Sequence, residues 1–365
     1  MKYVIDKADR PVYLQIYRQI RQDIISGIYP YHTKLPSIRL LCDELSVSTV
    51  TVDHAYALLC DEGYIEARER SGYFVIFHAD DGFVSSANDK TYPIHHTNHH
   101  GNSNAVEFPF SVLAKTMRRV ISDFGESILD RSENTGSVEL REEISRYLAR
   151  SRGIYVEPNQ IIIGSGSEYL YNLIVGLLGR NMVYAIEAPS YKKIEQVYSS
   201  SGVKLEKLPL GHDGIDSAAL QNCHADVLHI SPYRSYPSGV TASASKRHEY
   251  LRWAIQNDRF IVEDDFESEF SLSQKPEETL FSHTSNDNVI YMNTFSMTVS
   301  PSFRVGYMVL PKHLVCEFEE RLGFYSCTVP TYVQFVVAEL ISNGDFERHI
   351  NRVRRNIRKE LSGQK

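Results

Sequence analysis

Between Pro11 and Ser26 apolar residues recur at Val12, Ile16, Ile20, Ile24 and Ile25, with Gly27 just beyond. That spacing predicts an amphipathic helix and its stop. Leu35-Pro36-Ser37-Ile38-Arg39 opens a second, short helix with Ser37 as N-cap, running to about Leu45. Ser46-Val47-Ser48-Thr49 turns into a third, capped by Ser48 and ended by Gly63, with Val52, Ala55, Leu58 and Leu59 facing inward. Tyr64 to Ala67 and Gly72 to Ile76 then read as two strands around a charged tip, Arg68-Glu69-Arg70-Ser71. Three helices and a two-stranded wing are the layout of a winged helix-turn-helix.

Residues 78–104 are polar and carry neither period, which predicts a tether between domains. Four histidines fall there (His95, His96, His99 and His100), but a tether supplies no fixed ligand geometry for a metal, so they read as solvated linker. From Val106 onward helices alternate with short apolar strands: Gln160 to Ile163, Met182 to Ile186, Val227 to Ile230, Phe260 to Val262 and Val289 to Met292. The alternation predicts an α/β domain with a mainly parallel sheet. Ligands in such sheets sit at the carboxyl ends of the strands, where the polar motifs of this chain fall. The expected division is therefore 1–77, 78–104 and 105–365.

Composition refines the picture. With 42% hydrophobic and 23% charged residues among 365, the chain reads as soluble and globular. No apolar run approaches the ~18 residues of a membrane span, and Met1-Lys-Tyr-Val-Ile-Asp6 lacks a signal-peptide core, so a cytoplasmic protein is expected. Five scattered cysteines, with no Cys-x-x-Cys pair, predict reduced thiols. The net charge of −7 argues against indiscriminate nucleic-acid binding, and residues 1–76 hold nine Lys/Arg against ten Asp/Glu. Any DNA contact must come from a local cationic face, helped by dimerisation.

Specific motifs outweigh that charge. Leu-Pro-Ser-x-Arg, Leu-x-Val-Ser-x-x-Thr-Val-x-x-Ala-Tyr, Glu-Gly-Tyr-Ile and Ser-Gly-Tyr-Phe-Val follow one another across residues 10–76. In this order they resemble the DNA-binding domain of GntR-type bacterial repressors. The resemblance implies a double-stranded operator as partner, with Ser48, Thr49, Thr51 and His54 offered to the major groove. Arg39 would hold a phosphate beside the Ser37 hydroxyl, and Gly72 would lie at the wing tip. Many family members carry arginine where this chain has Thr49, so either guanine contact is poorer here or the specificity differs.

The remainder resembles fold type I aminotransferases, in the version that MocR regulators fuse to a GntR-type domain. The motifs are Gly136-x-x-x-Leu140-Arg141, Arg152-Gly153, Gly164-Ser-Gly166-Ser167-Glu168, Glu187-Ala-Pro189-Ser-Tyr191, Tyr236-Pro-Ser-Gly239, Glu263-Asp264-Asp265-Phe266 and the segment Val289 to Arg304. The resemblance implies a pyridoxal phosphate pocket. Gly166, Ser167 and Glu168 would cradle the phosphate, Arg304 would neutralise it, and Thr294 and Ser296 would donate hydroxyls. Tyr191 would stack on the ring, Tyr236 would stand near it, and Asp264 would pair with the ring nitrogen. An acidic strand end or a metal site is the alternative for Asp264 and Asp265.

One departure dominates. In the family the residue after Thr294-Phe-Ser296 is the lysine that forms the Schiff base; here it is Met297, and a thioether forms no imine. Phe266 stands where a tyrosine is usual, Arg234-Ser235 where His-Gln is usual, and the chain stops at Lys365, leaving the C-terminal small domain of the family truncated. The implied function is a DNA-binding regulator, a homodimer whose degenerate aminotransferase-like domain serves dimerisation and noncovalent sensing of pyridoxal phosphate or a related effector. A pyridoxal-phosphate-dependent enzyme and a truncated, insoluble gene product are the alternatives.

Overall fold

The computed structural model describes Tyr3, Ile5 and residues 11–68, 71–78, 108–271, 278–283 and 288–363. The histidines expected in a linker lie outside the described residues, as does most of the expected tether. The chain divides into two compact units, residues 1–99 and 100–365.

In the first unit, α1 (Val12–Ile25), α2 (Ile38–Leu45) and α3 (Thr49–Asp61) precede the antiparallel pair β1 (Ile65–Arg68) and β2 (Gly72–Val75). Both predicted caps form: Ser37 Oγ accepts from Leu40 N and Ser48 Oγ accepts from Thr51 N, each at 3.2 Å. Ile16, Ile20 and Ile24 of α1 pack with Leu41 of α2 and with Val52, Ala55, Tyr56 and Leu59 of α3. Ile65 and Val75 close this core from the wing, anchoring the strands at the end away from the Arg68–Gly72 pair.

The second unit is built on an eight-stranded sheet. Its strands are β3 (Ile161–Gly164), β4 (Val183–Ala188), β5 (Lys204–Gly211), β6 (Gly214–Ile215), β7 (Val227–Ile230), β8 (Phe260–Asp264), β9 (Val289–Thr294) and β10 (Gly306–Val309). Their spatial order is β3-β10-β9-β8-β7-β4-β5-β6. The pairs among β9, β8, β7, β4 and β5 are parallel, while β10 runs antiparallel to both neighbours and β6 turns back on β5. All six residues of β9 are buried, as expected of a strand covered on both faces.

Alternate residues of β9 serve different cores. Ile290 and Met292 pack toward α6 (Ser167–Leu178), α7 (Lys192–Ser200) and α11 (Lys312–Leu322). Tyr291 packs toward α5 (Val138–Arg152) and α12 (Thr331–Ser342), whose apolar sides are joined by α4 (Phe110–Phe124) and α13 (Asp345–Gly363). A third core lies under α8 (Ser217–Gln221), α9 (Ala244–Gln256) and α10 (Leu280–His283).

Candidate functional site

On the first unit the expected DNA-contacting residues occupy two helices and the wing. Ser48, Thr49 and Thr51 share the first turn of α3, where the Ser48 and Thr51 hydroxyls lie 2.7 Å apart. The first turns of α2 and α3 contain no acidic side chain, so their amide-rich ends stay electropositive. His54 is exposed and meets Tyr13 edge to face at 5.8 Å, while Arg39 is exposed on α2. Gly72 takes φ of 102°, and a Cβ there would come within 3.1 Å of Lys34 Cε. Two neighbours escaped the sequence reading. Lys34 approaches the wing through its bridge to Phe74, and Val50 stands 62% exposed on α3 as an apolar surface for a thymine methyl. Val50 carried a signal, being an apolar residue off the inward period.

On the second unit the carboxyl ends of β3, β4, β7, β8 and β9 meet at one edge. Because β10 runs the other way, with Gly306 opposite both Gly164 and Thr294, the residues before it reach that edge too. This reversal brings Arg304 to the end of β3, far from it in sequence. A cavity of about 290 Å³ opens there, at the lower end of the size range of small-molecule sites. It is lined by Ser167, Glu168, Tyr191, Tyr236, Asp264, Thr294, Ser296 and Arg304 from the expected set, and by Met297. Gly166 sits just behind: with φ of 86°, it lets Arg304 Nη2 approach to 2.8 Å of where a Cβ would stand.

Sequence reasoning assigned no role to several further lining residues: Tyr171, Glu187, Lys193, Ser231 and Glu267. Lys193 follows Tyr191 by two residues, a signal that could have been used. Tyr171 is one turn into α6 and reads in sequence as ordinary core.

Asp264 is 4% exposed. Its Oδ2 accepts from the Tyr171 hydroxyl at 2.7 Å, with His229 Nε2 at 3.6 Å. Its Oδ1 is buried and has no hydrogen-bond partner among the described residues. A carboxylate oxygen left this way is open to an N–H or O–H donor brought into the cavity. The protonated nitrogen of a pyridine ring fits it, with Tyr191 beside it and Tyr236 edge-on to Tyr191 at 6.0 Å. Asp264 therefore suits the ring half of the cofactor that the fold family uses; that cofactor supplies an electron sink when bound.

Asp265 points elsewhere. It pairs with Arg152 at 3.2 Å and accepts from Tyr291 at 2.8 Å, in a buried network that includes Glu269 and Asn293. Burial raises Glu263 to about 8 and pushes Glu269 up as well, the latter opposed by Arg152. Among the described residues, no group of three or more His, Cys, Asp or Glu could hold a metal ion.

The phosphate half is arranged differently. Glu168 Oε2 accepts from Arg304 Nη2 at 2.6 Å, and Glu168 Oε1 accepts from the Lys193 ammonium. Partial burial works to raise the Glu168 pKa, but these two bonds outweigh it and hold the carboxyl at about 2. The same bond to Glu168 raises Lys193 above an ordinary lysine, keeping that amine charged. Glu187 behaves oppositely: burial lifts it to about 7, against bonds from Ser235 Oγ at 2.6 Å and Ser231 N at 3.3 Å.

A mainly parallel sheet clothed in helices, with a ligand-sized cavity at its carboxyl edge, defines an aminotransferase-type α/β domain behind a winged helix-turn-helix. The chain belongs to the family described as aminotransferase class I and II, which matches residues 102–362, and the bacterial regulatory proteins of the gntR family match residues 12–75. Its relatives with both parts are HTH-type transcriptional regulators. YdeL of Bacillus subtilis (strain 168), called an uncharacterized HTH-type transcriptional regulator, is 33% identical over 361 residues, 96% of this chain and 78% of the relative. The "Probable rhizopine catabolism regulatory protein MocR" of Rhizobium meliloti is 28% identical over 375 residues, 96% of this chain and 76% of the relative. Among solved structures, Pyrococcus horikoshii kynurenine aminotransferase superposes with a TM-score of 0.62 at 26% identity over 68% of this chain. This chain spans 64% of that enzyme's length. No helix among the described residues is long and apolar enough to cross a membrane.

Proposed function

We propose that this protein is a cytoplasmic DNA-binding transcriptional regulator of MocR type. Residues 1–77 bind the operator, 78–104 form a linker, and 105–365 form an aminotransferase-like domain that dimerises and senses a small aromatic effector without covalent attachment. The observation that carries the reading is the first turn of α3, exposed and capped, with hydroxyls at Ser48, Thr49 and Thr51 and no acidic side chain. Arg39, the Ser37 amide region and the wing at Gly72 flank it as phosphate contacts.

Met297 supports a noncovalent sensor over an enzyme. Lys193 is the lysine lining the cavity among the described residues, and its ammonium is committed to Glu168. An amine held charged attacks no carbonyl. Support for a homodimer comes from exposed apolar side chains on the second unit: Leu129, Phe324 and Tyr325. Arg131 binds Ser326 Oγ at 2.5 Å and Asn134 binds the Gly323 carbonyl at 2.6 Å, which ties the two stretches into one face.

Titration of the purified protein against DNA from its own promoter region, at low and moderate salt, tests the reading. Saturable binding that weakens with salt and is lost in Arg39→Ala is expected. Absence of specific binding at low salt overturns it.

A further inference from the structure

The two halves of the cavity do not match one phosphorylated cofactor equally well, and the mismatch has a single source. At the start of α6, where backbone amides and two cations would receive a phosphate, Glu168 already supplies an anion. Each of its oxygens takes one cation: Oε1 the Lys193 ammonium, Oε2 the Arg304 guanidinium. Arg304 also lies against Gly166, over the turn that would hold the phosphate. An incoming phosphate must separate Glu168 from both partners and then remain beside a carboxylate that stays ionised. Like charges at such range oppose binding, and both cations are lost to the ligand unless Glu168 moves.

The rest of the wall is acidic and aromatic. Asp264 Oδ1 is buried without a partner among the described residues. Glu187 and Glu267 also line the space, but burial favours the protonated form of Glu187 and Arg234 Nη1 stands 3.5 Å from Glu267, so Asp264 is the group that faces a ligand cation. Tyr171, Tyr191, Tyr236 and Phe266 supply the ring surfaces. Unsatisfied carboxylate oxygen and aromatic faces recognise a cation with a flat ring.

We propose that the cavity takes an unphosphorylated aromatic cation, a protonated heteroaromatic amine whose ring N–H donates to Asp264 Oδ1, and that Glu168 is the residue that turns phosphate away. The proposal rests on the reading of this cavity as the effector site, and adds the chemical class of the effector. Glu168 acts as an internal counter-anion, not as a ligand contact. Replacing it by an uncharged side chain of the same shape frees Lys193 and Arg304 for an outside anion.

The test uses the full chain and two probes that differ only in the phosphate, pyridoxamine and pyridoxamine phosphate, titrated by calorimetry into wild type and Glu168→Gln. In wild type, pyridoxamine is expected to bind tenfold or more tightly than its phosphate ester. In Glu168→Gln that ratio is expected to move at least tenfold toward the ester, and inorganic phosphate to begin competing with it. A merely structural role for Glu168 would weaken both probes alike and leave the ratio unmoved. Asp264→Asn, which removes the charge and keeps the shape, is expected to weaken both probes. Preference of wild type for the ester, an unchanged ratio in the variant, or failure of both probes to bind overturns the proposal. Operator binding, measured on the same preparations, keeps the readings separate. DNA binding with preference for the ester sinks only the ligand class, whereas pyridoxamine preference without DNA binding sinks the regulator and leaves the ligand class standing.

Discussion

Two helix N-termini in this molecule face the same physical problem and resolve it oppositely. α3 begins with Ser48-Thr49-Val50-Thr51, leaving its positive end open to solvent and to whatever anion arrives. α6 begins with Gly166-Ser167-Glu168, and its own side chain gathers the nearby cations before any ligand does. The backbone partial charges are alike in the two places. What differs is one carboxylate in the first turn, so an amide-rich helix start becomes an anion site only when its side chains leave it vacant.

The sharpest way to break the contrast is to give α3 what α6 has. Thr49→Glu is expected to reduce operator affinity roughly a hundredfold or more, through repulsion of the DNA phosphates. The helix itself should lose nothing, because an acid in a first turn is favourable there. Fluorescence anisotropy on operator DNA, with thermal melting as control, reads both effects; retained affinity would mean that α3 does not face the groove.

Next in size is restoring the missing amine. Met297→Lys is expected to give a borohydride-trapped mass adduct at residue 297 with pyridoxal, where wild type gives none. Pyridoxal phosphate should label the variant well only when Glu168→Gln is added. Equal labelling by both aldehydes in the single variant would show that Glu168 is no barrier.

A smaller effect distinguishes the second unit by its pH response. Burial holds Glu187 at about 7 and Glu263 at about 8, both above the ordinary 4.5. Between those limits the folded chain keeps protons that the unfolded chain has released. This contribution to stability is therefore complete below about pH 4.5 and is lost as pH rises through 7 and 8. Thermal melting should show the second unit less stable at pH 8.5 than at pH 6, with a flatter profile in Glu187→Gln. A midpoint rising over that interval would contradict the assignment.

The smallest effect concerns the open helix. Ser48→Ala removes the cap on α3 and is expected to cost about 1 kcal/mol of stability in the first unit, read by denaturant melting.

Much of the first unit was legible because its signals are local. Ser37 and Ser48 precede apolar periods by fixed offsets, and Gly63 and Gly72 mark turns, so caps and wing could be placed from neighbours in the chain. The parallel strands were legible as apolar runs, although Gln160 proves to lie in the turn before β3, not in the strand. β5 was not, because a strand next to the sheet edge, joined by β6 only at Leu210 and Gly211, carries alternating polar residues and Pro209 and so gives no continuous apolar run. β10 was missed because Gly306–Val309 is four residues long and its direction is set only by pairing. In the cavity, motif spacing placed Asp264, Thr294, Ser296 and Tyr191 together. It could not disclose that Glu168 and Arg304, 136 positions apart, would spend their charges on each other.

The reversal of β10 has a consequence for how such a pocket can change over time. Phe295 N bonds to the Val305 carbonyl at 2.8 Å, pinning the two ends of the excursion between β9 and β10, and Phe295, Val299 and Val305 root it in the core. Ser296, Met297 and Arg304 all ride on that one pinned segment. Residues 295–305 are thus an exchangeable cassette: covalent attachment and the cation that meets a phosphate can be gained or lost there together while the sheet that frames them is left as it was.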